Sequence, residues 1–325
     1  MDFFEEQRKN RRTTVLLIAF FITIDLLMGY FIDHEYLGFN IRTGPFPFAT
    51  AAALVIAVSW SLISYYKGSG IVLASVNAVP VDPEHEDEKT RVLMDVVREM
   101  SIASGNRMPI VYVIPSEQPN AFATGRDPEH ASIAVTQGLL DTMDRAELQA
   151  VIAHEMGHIK SHDMQTMTVI AVLLGFIVLI SDWLWRTALY APRKRGSKDN
   201  DFQGTIILMV VAFALVVVAP MAGQIIAMTV SREREYAADA ASVEFTRNPL
   251  ALASALEKIK KNFVPMRNAT RGTAHMFIMD PLVKTMGNKE GFFADLFATH
   301  PPIDKRIARL KFSGHVVSVE GYGRR

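Results

Sequence analysis

The sequence predicts an α-helical membrane protein that also contains an α+β polar domain. Half of the 325 residues are hydrophobic and the mean hydropathy is positive, which makes the chain more apolar than an ordinary soluble domain of this length. Several apolar runs reach the roughly 18 to 20 residues that a bilayer requires. Between and after these runs lie two polar segments, the first with helix and strand patterns and the second with helix patterns.

Four apolar runs are long enough to be membrane spans. They lie at about residues 13–32, 46–66, 168–186 and 204–230. Asp25 and Asp182 interrupt two of these runs, and such residues are expected to face the protein interior or the membrane interface. The chain is thereby divided into a membrane hairpin at 1–66, a polar segment at 67–167, a second hairpin at 168–230 and a second polar segment at 231–325.

Basic residues beside the spans predict the orientation of the chain. A cluster at 8–12 precedes the first span, whereas the loop at 33–45 contains only Arg42, which places the amino terminus and both polar segments in the cytoplasm. A second basic cluster at 186–198 conflicts with this orientation, because four membrane crossings would place these residues outside the cytoplasm. Either the third and fourth helices are shallow or buried against the rest of the protein, or the amino-terminal cluster dominates. We favour the latter and expect a multi-pass protein of the inner (cytoplasmic) membrane.

The first polar segment is expected to contain both helix and strands. Residues 86–104 have the spacing of an amphipathic helix that stops at Ser104–Asn106. Short β-rich runs follow at Ile110–Ile114 and Ala131–Thr136. The second polar segment begins as a helix and adds another at Pro249–Asn262. Neither segment is expected to form a domain alone, because each supplies only part of the site described next.

An H-E-x-x-H motif is formed by His154, Glu155 and His158. It lies on a predicted helix that begins with a capping pattern from Asp144 to Glu147. Positions four apart share one face of a helix, so both imidazoles can bind one metal ion while Glu155 projects beside them. The alternative is two buried core histidines, but a carboxylate between them would make an expensive core. Because the chain has no cysteine, the remaining ligands must be histidine or carboxylate.

A catalytic zinc site keeps three protein ligands and one open position, so a third ligand is needed. Ser161 and Met164 exclude the metzincin continuation, which requires Gly and His at these positions. Glu235 and Asp239 form an E-x-x-x-D pattern after the fourth predicted span. We interpret Glu235 as the third ligand and Asp239, one turn later, as the hydrogen-bond partner of a ligating histidine. The alternative is a solvated charge cluster at the membrane boundary.

Four separated motifs resemble, in order, those of the M48 peptidase family. The match is with the HtpX-like heat-shock proteases in particular, and the CAAX prenyl proteases are more distant relatives. The motifs are Asn120–Gly125, His154–His158, Glu235–Asp239, and Thr299–Pro302 with Arg306. The resemblance covers nearly the whole chain and implies a membrane-embedded, gluzincin-type zinc peptidase.

The resemblance also implies the roles of individual residues. The ligands of one catalytic Zn²⁺ would be His154, His158 and Glu235. Glu155 would accept a proton from the attacking water. Asp239 would orient a ligating histidine.

Two further groups of residues follow from the same resemblance. His300 and Arg306 would lie near the metal as candidate donors to the negative oxygen of the transition state. An edge strand would pair with the backbone of an extended substrate. Its substrate-binding residues would be Asn120, Ala121, Phe122 and Ala123.

These observations predict a zinc metalloendopeptidase. His158 lies ten residues before the third predicted span, so a continuous helix through His162 and Asp163 would place the metal within roughly 15 Å of the bilayer. Substrates are therefore expected to be membrane proteins, misfolded ones included, or their cytoplasmic loops, in agreement with the role in membrane protein quality control that the resemblance implies. The alternatives are a non-catalytic zinc-binding scaffold or a transporter. Zero net charge argues against a nucleic-acid partner, and the sequence is compatible with an oligomer.

Overall fold

Two long apolar helices form the amino-terminal part of the protein. Helix α1 spans Phe3–Tyr36 and α2 spans Phe48–Ser75, and the two pack against each other. The carboxylate of Asp33 accepts hydrogen bonds from the N–H groups of Ala49 and Thr50 at 2.9 and 2.7 Å, so it caps the first turn of α2. Both helices are long and apolar enough to cross a membrane. They coincide with the first two predicted spans.

The computed structural model describes most of the chain. The described residues are 3–36, 44, 46–82, 87–190, 232–266, 268–270, 272–282 and 301–322. The third predicted span falls in α6 (Asp163–Tyr190), whose part Asp163–Ile177 is apolar and largely buried, in contact with α1 and α2. The fourth predicted span, at 204–230, lies outside the described residues. The total of four crossings therefore stays a prediction.

A four-stranded sheet forms the β part of the polar domain. Its strands are β1 (Val79–Pro80), β2 (Ile110–Ile114), β3 (Ala121–Gly125) and β4 (Ala131–Thr136). The spatial order is β1-β2-β4-β3, with β2 parallel to β4 and β3 antiparallel to β4. The two predicted strands, β2 and β4, are confirmed. Because β3 pairs with β4 on one side only, it is an edge strand of the described sheet.

Six further helices complete the polar domain as the structure describes it. They are α3 (Glu88–Ser104), α4 (Gln137–Thr142), α5 (Arg145–Ser161), α7 (Arg232–Thr246), α8 (Pro249–Lys261) and α9 (Ile303–Tyr322). The predicted helix α3 is confirmed: Asp87 caps its start, and Gly105 ends it in the left-handed conformation that glycine favours. The predicted helix α8 is confirmed as well, with Asn248 as its cap.

Helix α5 lies at the centre of the polar domain. It packs against α3, α7 and α8, and its apolar side chains belong to the main hydrophobic core. At Gly157 the backbone of α7 comes so close that an added Cβ would lie 2.9 Å from the Cβ of Ala241 and 3.3 Å from the Cα of Ala238. This close approach brings α7, and the carboxylates that it carries, next to the motif on α5.

Candidate metal centre

The H-E-x-x-H motif lies on α5, and the helix begins as predicted. The Asp144 carboxylate accepts a hydrogen bond from the Glu147 N–H, and the Glu147 carboxylate accepts one from the Asp144 N–H, both at 2.9 Å. This capping box fixes the start of the helix. One helical turn separates His154 from His158, and their Nε2 atoms are 3.1 Å apart.

Glu235, on α7, completes a group of three ligand atoms. Its carboxylate oxygens lie 3.7 Å from Nε2 of His154 and 3.9 Å from Nε2 of His158. A tetrahedral ion with bonds of about 2.0–2.2 Å places neighbouring ligand atoms about 3.3–3.6 Å apart. The three side chains thus form one metal-binding group, and their spacing suits a single small ion.

The other ring nitrogens of both histidines face carboxylates. Nδ1 of His154 lies 3.1 Å from Oδ1 of Asp239, and Nδ1 of His158 lies 2.8 Å from Oδ2 of Asp163. A carboxylate beside Nδ1 favours the tautomer that carries the proton on this nitrogen, so each ring in its neutral form presents the lone pair of Nε2. The two Nε2 atoms and a carboxylate oxygen then converge on one point. Imidazole nitrogens and carboxylate oxygens are common metal ligands, so the residues fit a metal ion.

Arg306, on α9, is buried beside Glu235 and Asp239. Its Nε and Nη2 atoms donate to the two oxygens of Asp239 at 2.9 and 2.6 Å, and Nη1 lies 2.9 Å from Oε2 of Glu235. Nη1 also donates to the carbonyl oxygen of Ile278 at 3.1 Å. The guanidinium is therefore oriented by two carboxylates, one of them the proposed third ligand.

Burial and neighbouring charges shift the pKa values of the buried groups. Burial raises the pKa of Glu155 to about 7. Burial opposes the charged form of His158, but the carboxylates of Asp163, Glu235 and Glu155 outweigh it and raise the pKa of this histidine to about 10. Burial would also raise the pKa of Asp239, yet Arg306 and His154 hold it below its usual value. A proton or a metal ion is therefore strongly favoured at His158.

The expectation of one continuous helix from the motif into the third span is wrong. Helix α5 ends at Ser161, His162 adopts a left-handed conformation with φ of 61°, and α6 starts at Asp163. A left-handed residue cannot continue a right-handed helix. The distance to the bilayer that a straight helix implied therefore does not follow. The break turns the Asp163 side chain back toward His158.

The predicted substrate strand is the edge strand β3. Thr136 N–H donates to the Asn120 carbonyl, and because hydrogen-bonded pairs alternate along an antiparallel ladder, the backbone polar groups of positions 121, 123 and 125 face away from β4. The Ala121 carbonyl accepts from Ile278 N–H at 3.0 Å, and Gly125 N–H donates to Thr168 Oγ1 at 3.2 Å. Among the described residues, none forms a hydrogen bond with the outward backbone groups of Ala123.

The strand and the metal centre are joined by Ile278. Its N–H donates to β3 and its carbonyl accepts from Arg306. Phe122 of the strand packs edge-to-face on Phe277, with ring centroids 4.9 Å apart, and the Asn120 side-chain amide donates to the Met279 carbonyl at 2.7 Å. These contacts fix the strand relative to Arg306.

The structure places most of the predicted site residues together. His154, His158, Glu235, Asp239 and Arg306 form one cluster, whereas His300 lies outside the described residues. Two residues were not assigned to the site from the sequence. Asp163 was expected only to continue the motif helix, although its position five residues after His158 was a signal that could have placed it beside that histidine. The packing role of Gly157 had no signal in the sequence, because it depends on α7.

A metal site on an H-E-x-x-H helix, completed by a carboxylate from a distant helix, is the arrangement of a metallopeptidase. Comparison with known proteins leads to the same class. Residues 86–313 match Peptidase family M48. The chain belongs to this family, and it is similar to its HtpX-like membrane metalloproteases.

Similar proteins cover nearly the full chain. A "Protease HtpX homolog" from Caldanaerobacter subterraneus subsp. tengcongensis is 44% identical over 95% of this chain and 97% of its own length. Another from Thermoanaerobacter pseudethanolicus is 42% identical with the same coverage. The crystal structure of S. mikatae Ste24p aligns at a TM-score of 0.48 and 16% identity, over 94% of this chain and 66% of that one, so the chain spans slightly less than two thirds of Ste24p.

Proposed function

We propose that this metalloprotease is a zinc-dependent endopeptidase of the membrane. The observation that carries the proposal is the convergence of His154 Nε2, His158 Nε2 and a Glu235 oxygen on one point, with Nδ1 of each ring facing a carboxylate. Nitrogen and carboxylate ligands without thiolates suit zinc, and three protein ligands leave a position for water, as catalytic sites require. We interpret the ion as Zn²⁺ for this reason.

Each buried side chain then has a distinct role. A zinc ion held here would supply Lewis-acid activation of a water molecule and of the substrate carbonyl. Glu155, adjacent in sequence to a ligand and with a pKa raised to about 7, accepts the proton of the attacking water and delivers it to the leaving amine. Arg306 orients Glu235 and Asp239, while His300 remains our candidate donor to the negative oxygen.

The substrate backbone is proposed to pair with β3 at Ala123. Both neighbouring outward positions already have partners, since Ala121 bonds with Ile278 and Gly125 with Thr168. An extended peptide could therefore form its pair of backbone hydrogen bonds at one residue of the strand. A short pairing of this kind recognises the backbone and demands little of the substrate sequence, which suits an enzyme that acts on many unfolded segments.

We place the enzyme in the inner membrane with its active site in the cytoplasm. The long apolar helices α1 and α2 and the basic residues at the start of α1 support this placement. The amino-terminal end of α1 contacts the end of α5, since Gln7 donates to the Lys160 carbonyl at 2.7 Å. Substrates are proposed to be membrane proteins, misfolded ones among them, or their cytoplasmic loops.

The test of this function is the variant Glu155→Gln in the purified, zinc-loaded protein. We expect it to retain one zinc per chain and the wild-type fold, because Glu155 does not hold the metal. Its rate of peptide cleavage should fall by at least about 10²- to 10⁴-fold, the scale of a positioned acid–base group. The control is Glu129→Gln, which changes an exposed carboxylate and should leave the rate unaltered. Near wild-type cleavage by Glu155→Gln would refute the assignment, and zinc binding without any wild-type cleavage would favour a scaffold.

The proposed substrate strand has a separate test. Replacing Ala123 with Pro removes the N–H that faces away from β4, so a peptide can no longer complete its pair of hydrogen bonds. Cleavage of unrelated substrates should fall sharply while the zinc content stays at one per chain. Unaltered cleavage by Ala123→Pro would remove this strand from the substrate site.

A further inference from the structure

Asp163 makes a buried contact with one of the proposed metal ligands. It is the first residue of α6 and is buried. Its Oδ2 is bonded to Nδ1 of His158 at 2.8 Å. The other oxygen, Oδ1, has no hydrogen-bond partner among the residues that the structure describes. The contact with His158 is thus the main interaction of this carboxylate.

Arg234, on α7, contributes a positive charge near the same carboxylate. This guanidinium is largely buried; burial lowers its pKa, and the negative charges of Asp163 and of Glu6 from α1 oppose that shift. Burial raises the pKa of Glu6, Asp163 adds to the rise and Arg234 opposes it. The buried charge of Asp163 is therefore offset by a cation from α7, in a region that the start of α1 also borders.

The amino-terminal end of α1 holds the turn in which Asp163 lies. The side-chain amide of Asn10 donates to the Ser161 carbonyl at 2.9 Å, and Gln7 donates to the Lys160 carbonyl. These carbonyls belong to the last turn of α5, whose carbonyl groups lack partners within the helix. One helical turn further along α1, the hydroxyl of Thr14 forms a hydrogen bond of 2.9 Å with the hydroxyl of Thr166, near the start of α6. Asn10 and Thr14 are both buried.

We propose that Asp163 is a positioning residue of the metal centre and that the amino-terminal end of α1 keeps it in place. Asp163 fixes the ring of His158 with its Nε2 lone pair toward the shared point, as Asp239 does for His154. Asn10 and Gln7 fix the α5–α6 turn, which sets the distance between Asp163 and His158. The cytoplasmic start of the first membrane helix is then a part of the metal site. This inference rests on the proposed zinc-binding function.

The experiment measures the affinity of the full-length, metal-free protein for Zn²⁺ in detergent, by competition with a chromophoric chelator. Asp163→Ala should bind zinc about 10- to 100-fold more weakly, as loss of a carboxylate partner of a ligating histidine generally does. Asp163→Asn should lose less zinc affinity than Asp163→Ala, because an amide oxygen can still accept a hydrogen bond from Nδ1 of His158. The control Asp95→Asn alters an exposed carboxylate of α3 and should bind like the wild type.

A second pair of variants tests the contribution of α1. Asn10→Ala should weaken zinc binding several-fold, whereas Thr13→Ala, which removes a hydroxyl that donates to the Lys9 carbonyl of α1, should not. The visible absorption of the Co²⁺-loaded protein gives an independent readout, and we expect its bands to change in Asp163→Ala and Asp163→Asn but not in Asp95→Asn. If Asp163→Ala loses its cooperative thermal transition, this variant does not fold. The zinc affinity and Co²⁺ spectrum of Asp163→Asn then decide whether Asp163 positions His158.

The outcomes separate this inference from the proposed function. A wild-type protein that does not bind zinc would overturn the proposed function itself. A wild-type protein that binds zinc tightly, together with Asp163 variants of equal affinity and unchanged Co²⁺ spectra, would overturn the positioning role alone. Equal affinity of Asn10→Ala and the wild type would remove α1 from the metal site.

Discussion

The two histidines that we propose as metal ligands are supported in different ways. His154 is fully buried, and its partner Asp239 is held by Arg306, so that side depends on α7 and α9, which are distant from α5 in sequence. His158 is partly exposed, and its partner Asp163 lies only five residues away, on the next helix. The first support needs the complete fold, whereas the second needs only a local turn and the start of α1. Substitutions on the His154 side of the site (Asp239 and Arg306) and on the His158 side (Asp163 and the start of α1) should therefore have different consequences.

Replacing Arg306, which supports His154 through Asp239, should cause the largest loss of stability. Arg306→Ala leaves the buried carboxylates of Asp239 and Glu235 without their cation, and breaking a buried pair in this way costs about 3–5 kcal/mol of stability. Thermal or denaturant unfolding of the metal-free protein measures this loss. Lys305→Ala changes an exposed neighbour on α9 and should unfold like the wild type. An Arg306→Ala protein of unaltered stability would show that the His154 side does not depend on this ion pair.

Substitutions of Glu233 and Glu235, which flank Arg234, should differ sharply in their effect on zinc affinity. Glu235→Ala removes a ligand and should weaken zinc binding by at least about 10²-fold, because a zinc site derives its affinity from all its ligands together. Glu233→Ala changes an exposed residue of the same helix and should bind zinc like the wild type. Asp239→Ala should lie between them, at about 10- to 100-fold. Chelator competition measures all three, and equal affinity of Glu235→Ala and the wild type would require another ligand.

Gly157 tests the packing that joins the two helices of the site. Gly157→Ala forces α7 away from α5 at Ala241, and such overpacking costs about 1–3 kcal/mol. We expect a lower melting temperature and weaker zinc binding, both partly restored when Ala241→Gly is added. Gly70→Ala, on α2, meets no atom within 4 Å and serves as the control. A stable Gly157→Ala protein with normal affinity would mean that α7 adjusts freely.

Zinc binding at His158 should depend on pH. In the metal-free protein the pKa of His158 is raised to about 10, above its usual 6.5, so its stabilising contribution is complete below about pH 6.5 and is lost as the pH rises toward 10. Zinc requires the neutral ring. Zinc affinity should therefore increase about tenfold per pH unit between pH 7 and 9, with release of about one proton on binding. Calorimetry in buffers of different ionisation enthalpy counts this proton, and binding without proton release would contradict the raised pKa.

The sequence predicted the parts of the molecule that depend on local patterns. Helix α3 with its glycine stop, the capping box of α5 and the strands β2 and β4 could be recognised because spacing and turn chemistry encode them. The predicted ligands also converge in the structure. The break at His162 could not be recognised, because a left-handed conformation is uncommon for residues other than glycine.

Long-range contacts were the other limit of sequence analysis. The two carboxylates that Arg306 joins come from a different helix, and the bond between Ile278 and β3 brings together residues more than 150 positions apart. No periodicity or spacing in one sequence reports such pairings. The same holds for the contact of Asn10 with the end of α5, which no pattern in the amino-terminal segment indicated.

Anomalous diffraction from crystals of the zinc-loaded protein, collected on both sides of the zinc absorption edge, would locate the metal ion. We predict one strong peak per chain, about 2.0–2.2 Å from Nε2 of His154, Nε2 of His158 and an oxygen of Glu235. Glu155 should lie close by without bonding to the ion. A peak at other residues, a fourth protein ligand that closes the site, or no peak at this position would rule out a catalytic zinc site at these residues.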